Sequence, residues 1–317
     1  MKIALLEPLS IREEILDAFV TKIKALGHEI TVYSDRDTSP AGLQARSEGM
    51  DAVIIANTPY REDVLKACPS LRYIDVAFTG VDHIDVEYCR KKEIHLSNAS
   101  GYSDICVAEL AFGMMLSLSR YMVQCDQAVR EGRDKTGLVG TELAGKTLGV
   151  IGTGKIGSRV ISIARAFGMD VIAYSRTAKP ELEAAGVKYL PLEKVMGLSD
   201  IVTLHTPNNA ETKGLISREL IGGMKPSAVF INTARGPIVD SQALADALNE
   251  GKIAAAGIDV FEMEPPIPAG HPLVTAKNVL LAPHVAFATK EAMERRAKIV
   301  FENMLAWLDG VVRNQIC

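Results

Sequence analysis

A glycine-rich loop between an apolar strand and an amphipathic helix is the feature that most constrains how this chain folds. The segment Gly152-Thr153-Gly154-Lys155-Ile156-Gly157 follows the strand pattern LGVI and opens the helical pattern KIGSRVISIARAFG. A GxGxxG match alone is weak, but in this context the glycines permit a tight turn and let a pyrophosphate approach the helix N-terminus. The loop therefore predicts a dinucleotide-binding domain of the Rossmann type.

Apolar strand patterns alternate with amphipathic helical patterns on both sides of this loop. Five strand patterns precede residue 100, beginning with IALLEP, and six more begin with TLGVIG. Repeated βα units predict parallel sheets, so the expected fold class is α/β with two doubly wound parallel-sheet domains. Between the two series, an apolar helical segment from Ser103 to about Gly132 is interpreted as one interdomain or dimer helix.

A chain of 317 residues is long enough for two cores. The amphipathic segment from Thr289 to about Gly310 has no partner at the end of the second series, so we expect it to return to the first domain. This makes the cofactor domain, residues 100–287, an insertion in a first domain made of residues 1–99 and 288–317.

Composition excludes several classes of function. Hydrophobic residues make up 48% of the chain, charged residues 23%, and the net charge is −4 with no basic run, so a nucleic-acid partner is not expected. No apolar run is long enough for a membrane span or a signal peptide. The five cysteines are widely spaced and form no CxxC pair, which predicts reduced thiols, a cytoplasmic location and no metal site.

The choice of dinucleotide depends on the end of the strand after the glycine loop. An Asp or Glu there would bind the ribose 2′-hydroxyl, but the chain reads Tyr174-Ser175-Arg176-Thr177. A guanidinium can pair with a 2′-phosphate, so NADP is favoured. NAD stays open, because Arg176 could equally be a solvated surface residue.

Three later strand ends carry residues suited to acid–base chemistry. Arg235 lies in NTARGPIVD, Asp259 and Glu264 lie in GIDVFEMEPP, and His284 lies in LAPHVAFAT. The carboxyl ends of strands line the ligand crevice of a doubly wound sheet. An arginine can grip an α-keto carboxylate and a histidine can move the proton on the C2 oxygen during hydride transfer. Each residue also has a purely structural interpretation when it is taken alone, and the combination favours catalysis.

These segments, in this order and spacing, resemble the D-isomer-specific 2-hydroxyacid dehydrogenase family. The matching motifs are VIGTGKIGSRV, LHTPNNAETKGLI, FINTARGPIVD, GIDVFEMEPP and LAPHVAFAT, with FTGVDHID and NASGYSDICVAEL upstream. The resemblance implies a Rossmann NAD(P) domain inserted in a flavodoxin-like substrate domain, a small 2-oxoacid or 2-hydroxyacid as substrate, and a homodimer.

The resemblance also implies roles for individual residues. Arg235 would bind the substrate carboxylate and carbonyl, His284 would donate the proton in reduction, and Glu264 would be its partner. Asp259 would hold the nicotinamide carboxamide, and the backbone of Thr79 and Gly80 would receive the substrate carboxylate. Further contacts are implied for Tyr102 with substrate and, with the cofactor, for His205, Pro207, Thr212, Thr233, Ala234 and Ala286.

The motifs define the type of reaction more closely than they define the substrate. The Tyr102-Ser103 pair is similar to that of glyoxylate and hydroxypyruvate (glycerate) reductases, whereas the chain lacks the long C-terminal domain of many phosphoglycerate dehydrogenases. A phosphoglycerate dehydrogenase type of enzyme remains an alternative. So does a dinucleotide-sensing protein similar to the family's corepressors, although the chain has no added tail. Formate or phosphite oxidation is less favoured, because in the formate enzymes a glutamine partners the histidine.

Overall fold

The computed structural model describes all 317 residues, which form two compact units. The first unit consists of Met1–Ser103 and Ala288–Cys317, and the second of Asp104–Phe287. The first boundary thus lies a few residues beyond position 99, where the sequence placed it. Each unit is built on a parallel sheet, which confirms the α/β class.

The first unit contains five parallel strands in the order β2-β1-β3-β4-β5, the flavodoxin-like order. Its strands are β1 (Lys2–Leu5), β2 (Glu29–Val32), β3 (Ala52–Ile55), β4 (Tyr73–Val76) and β5 (His95–Asn98). The helices between them are α1 (Glu13–Ala25), α2 (Pro40–Ser47), α3 (Glu62–Lys66) and α4 (Val86–Lys91). Strands β3 and β4 are buried at every position, as expected for strands covered on both faces.

The second unit contains seven parallel strands in the order β12-β11-β10-β9-β6-β7-β8. Its strands are β6 (Thr147–Ile151), β7 (Asp170–Tyr174), β8 (Lys188–Tyr189), β9 (Ile201–Leu204), β10 (Val229–Asn232), β11 (Ala255–Ile258) and β12 (Val279–Leu281). This is the Rossmann order with one strand added at the far edge. The two-residue strand β8 was not predicted, because it is too short to show a period.

The helices of the second unit cover both faces of this sheet. They are α5 (Asp104–Ser119), α6 (Met122–Arg130), α7 (Lys155–Ala166), α8 (Pro180–Ala184), α9 (Leu192–Leu198), α10 (Arg218–Gly222), α11 (Ser241–Asn249) and α12 (Pro272–Thr275). Helix α7 corresponds to the amphipathic segment predicted after the glycine loop, and its apolar face is buried.

The prediction of one helix from Ser103 to Gly132 is wrong. Helices α5 and α6 meet at a 56° bend, where Tyr121 has a φ of 52° that an α-helix cannot continue. The carbonyl of Ser119 accepts a hydrogen bond from the backbone N–H of Thr141, 2.8 Å away, instead of continuing the helical ladder. Because that partner is distant in sequence and no proline or glycine marks the break, the local pattern could not reveal it.

The last helix, α13 (Lys290–Leu308), belongs to the first unit. Its Phe301 stacks on Phe19 of α1 with ring centroids 4.1 Å apart, and its Trp307 stacks on Tyr73 of β4 at 4.8 Å. These contacts explain why an amphipathic helix at the end of the chain is stable: its apolar face covers a sheet formed by the first hundred residues.

No single helix is both long enough and apolar enough to cross a membrane. Only the bent pair α5 and α6, taken together, meets such a criterion, and α5 is largely buried against the sheet of the second unit. No group of three or more His, Cys, Asp or Glu side chains is arranged to hold a metal ion.

Candidate active site

The three glycines of the loop after β6 occupy three different environments. Gly152 has a φ of +94°, and a Cβ there would lie 2.6 Å from the carbonyl oxygen of His205. A Cβ on Gly157 would lie 2.0 Å from the carbonyl oxygen of Gly152, so this glycine allows α7 to pack on the loop. A Cβ on Gly154 would face open space. The loop therefore has a tight turn, close packing and an open position where a pyrophosphate can approach.

Side chains from outside the motif hold the loop in place. The hydroxyl of Tyr189 donates to Oγ1 of Thr153 at 3.1 Å, and Ser158 donates to the Thr153 carbonyl at 3.0 Å. Lys179 in turn donates to the Ser158 hydroxyl at 3.1 Å. Thr153 is buried, so its side chain serves to shape the loop. The ammonium group of Lys179 lies beside the start of α7.

A cleft of about 300 Å³ opens beside the loop. Eight of the residues predicted to contact the cofactor line it: Gly152, Thr153, Gly154, Ser175, Arg176, His205, Pro207 and Thr212. Tyr174, Thr206, Asn209, Glu211 and Leu215 also line it. The other predicted cofactor contacts do not, namely Lys155, Ile156, Gly157, Thr177, Thr233, Ala234, Asp259 and Ala286. The cleft thus brings together the strand ends of β6, β7 and β9.

Three buried polar side-chain atoms just after β9 and β10 have no hydrogen-bond partner. They are Oγ1 of Thr206, Oδ1 of Asn208 and Oγ1 of Thr233. Buried polar atoms are nearly always paired, and a bound ligand is one way in which such atoms find a partner. Together with the open position at Gly154, they fit a nicotinamide dinucleotide.

His205 is a neutral residue of this cleft. Burial lowers the pKa of its imidazole to about 3, and its Nε2 lies 2.9 Å from the hydroxyl of Thr203. A neutral imidazole can border a cofactor without adding charge, which suits a role in shape rather than in proton transfer.

Arg176 lies at the opening of the cleft in an ion pair. Its Nη1 is 2.8 Å from Oε2 of Glu211, and both side chains are mostly exposed. Glu211 lies in the loop after β9, and the sequence analysis named other residues of this loop but not Glu211. The predicted cation for a 2′-phosphate therefore has a carboxylate partner.

His284 follows β12 and pairs with Glu264. Nδ1 of His284 lies 2.8 Å and 3.0 Å from the two carboxylate oxygens, and the ring meets Phe287 edge-on at 5.4 Å. The φ of His284 is 57°, a left-handed conformation that costs about 1–3 kcal/mol for a residue with a side chain. Strain of this kind persists where surrounding bonds enforce it.

Asp259 supplies those bonds. The backbone N–H of His284 donates to the Asp259 carbonyl at 2.8 Å, and the N–H groups of Val285 and Ala286 donate to its two carboxylate oxygens at 2.8 Å and 2.9 Å. Burial raises the pKa of Asp259, while those two donors oppose the rise. In this structure Asp259 therefore fixes the turn that carries His284.

Arg235 follows β10 on a turn shaped by two neighbours. Asn232 is buried, its Nδ2 donates to the Arg235 carbonyl at 3.1 Å and its Oδ1 accepts from the N–H of Ala234 at 2.9 Å. A Cβ on Gly236 would lie 1.9 Å from the carbonyl carbon of Phe261. The turn with Arg235 thus packs directly on the segment that leads from Asp259 to Glu264.

The predicted substrate contacts belong to the first unit. Nδ2 of Asn98 donates to the carbonyl of Thr79 at 2.7 Å and so fixes the segment that leads to Gly80. Tyr102 is 1% exposed, and its ring lies edge-on to Phe78 with centroids 6.0 Å apart. Its carbonyl accepts from Nε of Arg295 at 3.1 Å. Tyr102 is therefore part of the core beneath this segment.

Sequence reasoning missed several residues that shape the site. Asn232 and Gly236 lie inside the recognised motif FINTARGPIVD, beside Arg235, so their role in shaping its turn could have been predicted. Glu211 also lies inside a recognised motif, LHTPNNAETKGLI, but its partner Arg176 is distant in sequence. Lys179 and Tyr189 lie outside every recognised motif.

Comparison with known proteins agrees with this geometry. Residues 112–286 match the family model described as the D-isomer specific 2-hydroxyacid dehydrogenase, NAD binding domain, and these residues lie in the second unit. The chain belongs to the D-isomer-specific 2-hydroxyacid dehydrogenase family. The match covers more than half of the chain and includes the glycine loop, Arg235, Glu264 and His284.

Full-length relatives in this family include reductases. The chain is 39% identical over 274 residues to a glyoxylate reductase of Korarchaeum cryptofilum, covering 84% of this chain and 82% of the relative. It is 34% identical over 297 residues to a hydroxypyruvate reductase of Blautia hydrogenotrophica, covering 91% of each. A D-3-phosphoglycerate dehydrogenase of Methanocaldococcus jannaschii is 40% identical over 267 residues, 83% of this chain but 51% of that relative.

Among solved structures, the fold matches an acyclic imino acid reductase in complex with NADPH and D-Arg. The TM-score is 0.91 at 30% identity, and the match covers 100% of both chains. The fold is thus shared with this reductase over the whole length of both chains.

Proposed function

We propose that this chain is an NAD(P)-dependent reductase of a small 2-oxoacid of the glyoxylate or hydroxypyruvate type. The observation that carries the proposal is the pairing of His284 Nδ1 with both oxygens of Glu264 at the end of β12. A carboxylate hydrogen-bonded to one imidazole nitrogen fixes the orientation of a ring that can act as a general acid.

Each residue of the site has one role in the proposal. When bound, a nicotinamide dinucleotide would supply the hydride that reduces C2 of the oxoacid. His284 gives a proton to the oxygen on C2 through Nε2, because both bonds from Glu264 fall on Nδ1. Arg235 pairs with the substrate carboxylate and stabilises the negative charge that develops on that oxygen. Glu264 holds the imidazole ring in orientation, and Asp259 holds the turn that carries it.

Contacts with the rest of the substrate follow from the family resemblance. Backbone N–H groups of Thr79 and Gly80 receive the substrate carboxylate in this proposal. The buried position of Tyr102 favours a role in supporting this segment over a direct contact. Asp259, Thr233, Ala234 and Ala286 would border the nicotinamide end of the cofactor, since they follow the strands β10, β11 and β12.

The cofactor proposed to be preferred is NADP. No carboxylate follows β7, and Ser175 and Arg176 line the cleft at the position where a 2′-phosphate would lie. A charge-assisted contact is worth about 1.5–3 kcal/mol, which allows a preference of roughly ten- to hundredfold and leaves NAD usable.

A homodimer is proposed from the segment that contains α5 and α6. Met122, Val123 and Val129 on α6 are 55%, 57% and 77% exposed, and a second copy would cover such a patch. Sedimentation of the purified protein should give twice the mass of the chain. The cytoplasmic location remains a prediction based on the wide spacing of the five cysteines in the sequence.

Steady-state kinetics with a panel of oxoacids and both cofactors tests the function. Glyoxylate, hydroxypyruvate, pyruvate and 3-phosphohydroxypyruvate should each be assayed with NADPH and with NADH, and the first two should give the highest kcat/KM. Highest activity on the phosphorylated substrate would favour the phosphoglycerate dehydrogenase alternative. Cofactor binding without turnover of any oxoacid would contradict the proposal and favour a dinucleotide-sensing protein.

A further inference from the structure

The ion pair between Arg176 and Glu211 lies at the opening of the cofactor cleft and has no part in the proton transfer at His284. Arg176 follows β7 and Glu211 lies in the loop after β9, so the pair joins two strand ends on either side of β6. We infer that Glu211 sets the cofactor preference of this enzyme by competing with the 2′-phosphate of NADP for Arg176. The inference rests on the proposed function only in requiring that the chain bind a nicotinamide dinucleotide.

Glu211 is held in position by the turn that contains it. Oδ1 of Asn209 accepts from the backbone N–H groups of Glu211 and Thr212 at 2.9 Å and 3.1 Å. The hydroxyl of Thr212 donates to the Pro207 carbonyl at 2.6 Å. Because these bonds fix the backbone, the carboxylate of Glu211 starts from a defined place beside the cleft rather than from a loose loop.

The position of Glu211 supplies a group that the end of β7 lacks. In Rossmann domains a carboxylate after the second strand accepts a hydrogen bond from the ribose 2′-hydroxyl. Here that strand is followed by Ser175 and Arg176, and the nearest carboxylate in the cleft comes from the loop after β9. Glu211 can therefore accept from the ribose hydroxyls of NAD while Arg176 neutralises its charge.

NADP uses the same two residues in the opposite way. Its 2′-phosphate is a dianion that pairs with the Arg176 guanidinium and is repelled by the Glu211 carboxylate. Arg176 must exchange one anionic partner for another when NADP binds. The preference for NADP over NAD is thus a balance between the two side chains, and Arg176 alone overstates it.

The pair contributes little to the stability of the fold. The side chains of Arg176 and Glu211 are 74% and 67% exposed, and ion pairs at such positions have small effects on unfolding. Substitutions at either residue should therefore change cofactor binding without unfolding the domain, which makes the inference testable.

The experiment measures dissociation constants of NADPH and NADH by fluorescence, with no oxoacid present. Glu211→Gln keeps the shape of the side chain and removes its charge. It should lower the dissociation constant of NADPH about three- to tenfold and leave that of NADH unchanged or higher. The matched control is Glu193→Gln, which removes one charge at an exposed position of α9 that does not line the cleft and should change neither constant. In an Arg176→Gln background, the effect of Glu211→Gln on NADPH should be clearly smaller, because the competition has been removed.

Two results would overturn the inference. One is a ratio of the NADPH and NADH constants in Glu211→Gln that stays within about twofold of the wild type. The other is an equal shift in Glu193→Gln. Failure of the proposed function is recognised separately, as a wild-type protein that binds cofactor but turns over no oxoacid.

Discussion

Two His–Glu pairs lie close together in the second unit, and they differ in what their surroundings leave them able to do. His284 pairs with Glu264, and His271 pairs with Glu262 through Nε2 at 2.9 Å. Each histidine also meets a phenylalanine edge-on, with ring centroids 5.4 Å apart for His284 and 5.3 Å for His271. The residue types alone do not distinguish the two pairs.

The contacts of His271 give it a role in the fold. Its Nδ1 accepts from the backbone N–H of Leu273 at 3.3 Å and caps α12, so both ring nitrogens are committed within the fold. Its side chain is 6% exposed. Glu262 also forms a hydrogen bond with Ser241. This pair ties down the loop that carries Glu264.

The environment of His284 differs in its backbone and in its carboxylate. His284 has a left-handed φ that Asp259 enforces, and Glu264 is 57% exposed and reaches Nδ1 with both oxygens. The strained turn and the exposed carboxylate distinguish His284 from His271, whose two ring nitrogens are bonded to Glu262 and Leu273. These differences make His284 the proposed proton donor of the two.

The largest expected effect comes from removing the His284 side chain, compared with removing that of His271. His284→Ala should lower kcat by about 10²–10⁴-fold, since it removes the general acid, and it should leave the dissociation constant of NADPH within a few-fold. His271→Ala is the matched control, and its kcat should stay within about threefold when the protein is assayed folded. Substantial turnover in His284→Ala, or an equal loss in His271→Ala, would contradict the assignment.

A smaller effect is expected from the carboxylate of the catalytic pair. Glu264→Gln keeps the shape but loses a hydrogen bond between charged groups, worth about 1.5–3 kcal/mol, so kcat should fall roughly ten- to hundredfold. Steady-state kinetics measures the change. An unchanged kcat would mean that Glu264 does not act on His284 during the reaction.

The smallest effect is expected at Glu262 and concerns stability against pH. Burial would raise the pKa of Glu262, but hydrogen bonds from Ser241 and His271 outweigh burial and hold the pKa below its ordinary value of 4.5. The folded protein therefore keeps Glu262 ionised at a lower pH than the unfolded chain does. Its contribution to stability is present above that value and is lost as the pH falls through the folded pKa.

Urea unfolding of Glu262→Gln at several pH values measures this contribution. The variant should be less stable than the wild type by about 0.5–1 kcal/mol at pH 7, a small figure because solvent screens a side chain that is 36% exposed. The difference should shrink below about pH 4.5. A difference independent of pH would show that the carboxylate charge does not matter.

Most of the fold could be predicted from local sequence. Eleven of the twelve strands follow apolar runs in a βα alternation, and the central strands such as β3 and β4 are apolar because they are covered on both faces. The two exceptions have different causes. Strand β8 has two residues and shows no period, and the break at Tyr121 depends on Thr141, which reaches the end of α5 from a distant part of the chain.

The candidate site could be predicted in part. Arg235, Glu264 and His284 stand in motifs whose residue types suit one reaction, and the pairing of the last two is present in the structure. The partner of Arg176 was not predicted, because Glu211 is 35 residues further along the chain. No property of a segment reveals which distant side chain will meet it.

The sequence by itself determined the family, the two parallel sheets and the dinucleotide loop, because glycine spacing and apolar periodicity act over a few neighbouring residues. Tertiary structure alone decided which histidine is held in a strained turn by Asp259, which one caps a helix, and which carboxylate faces Arg176. Those outcomes depend on contacts between strand ends that only the packing of the sheet brings together.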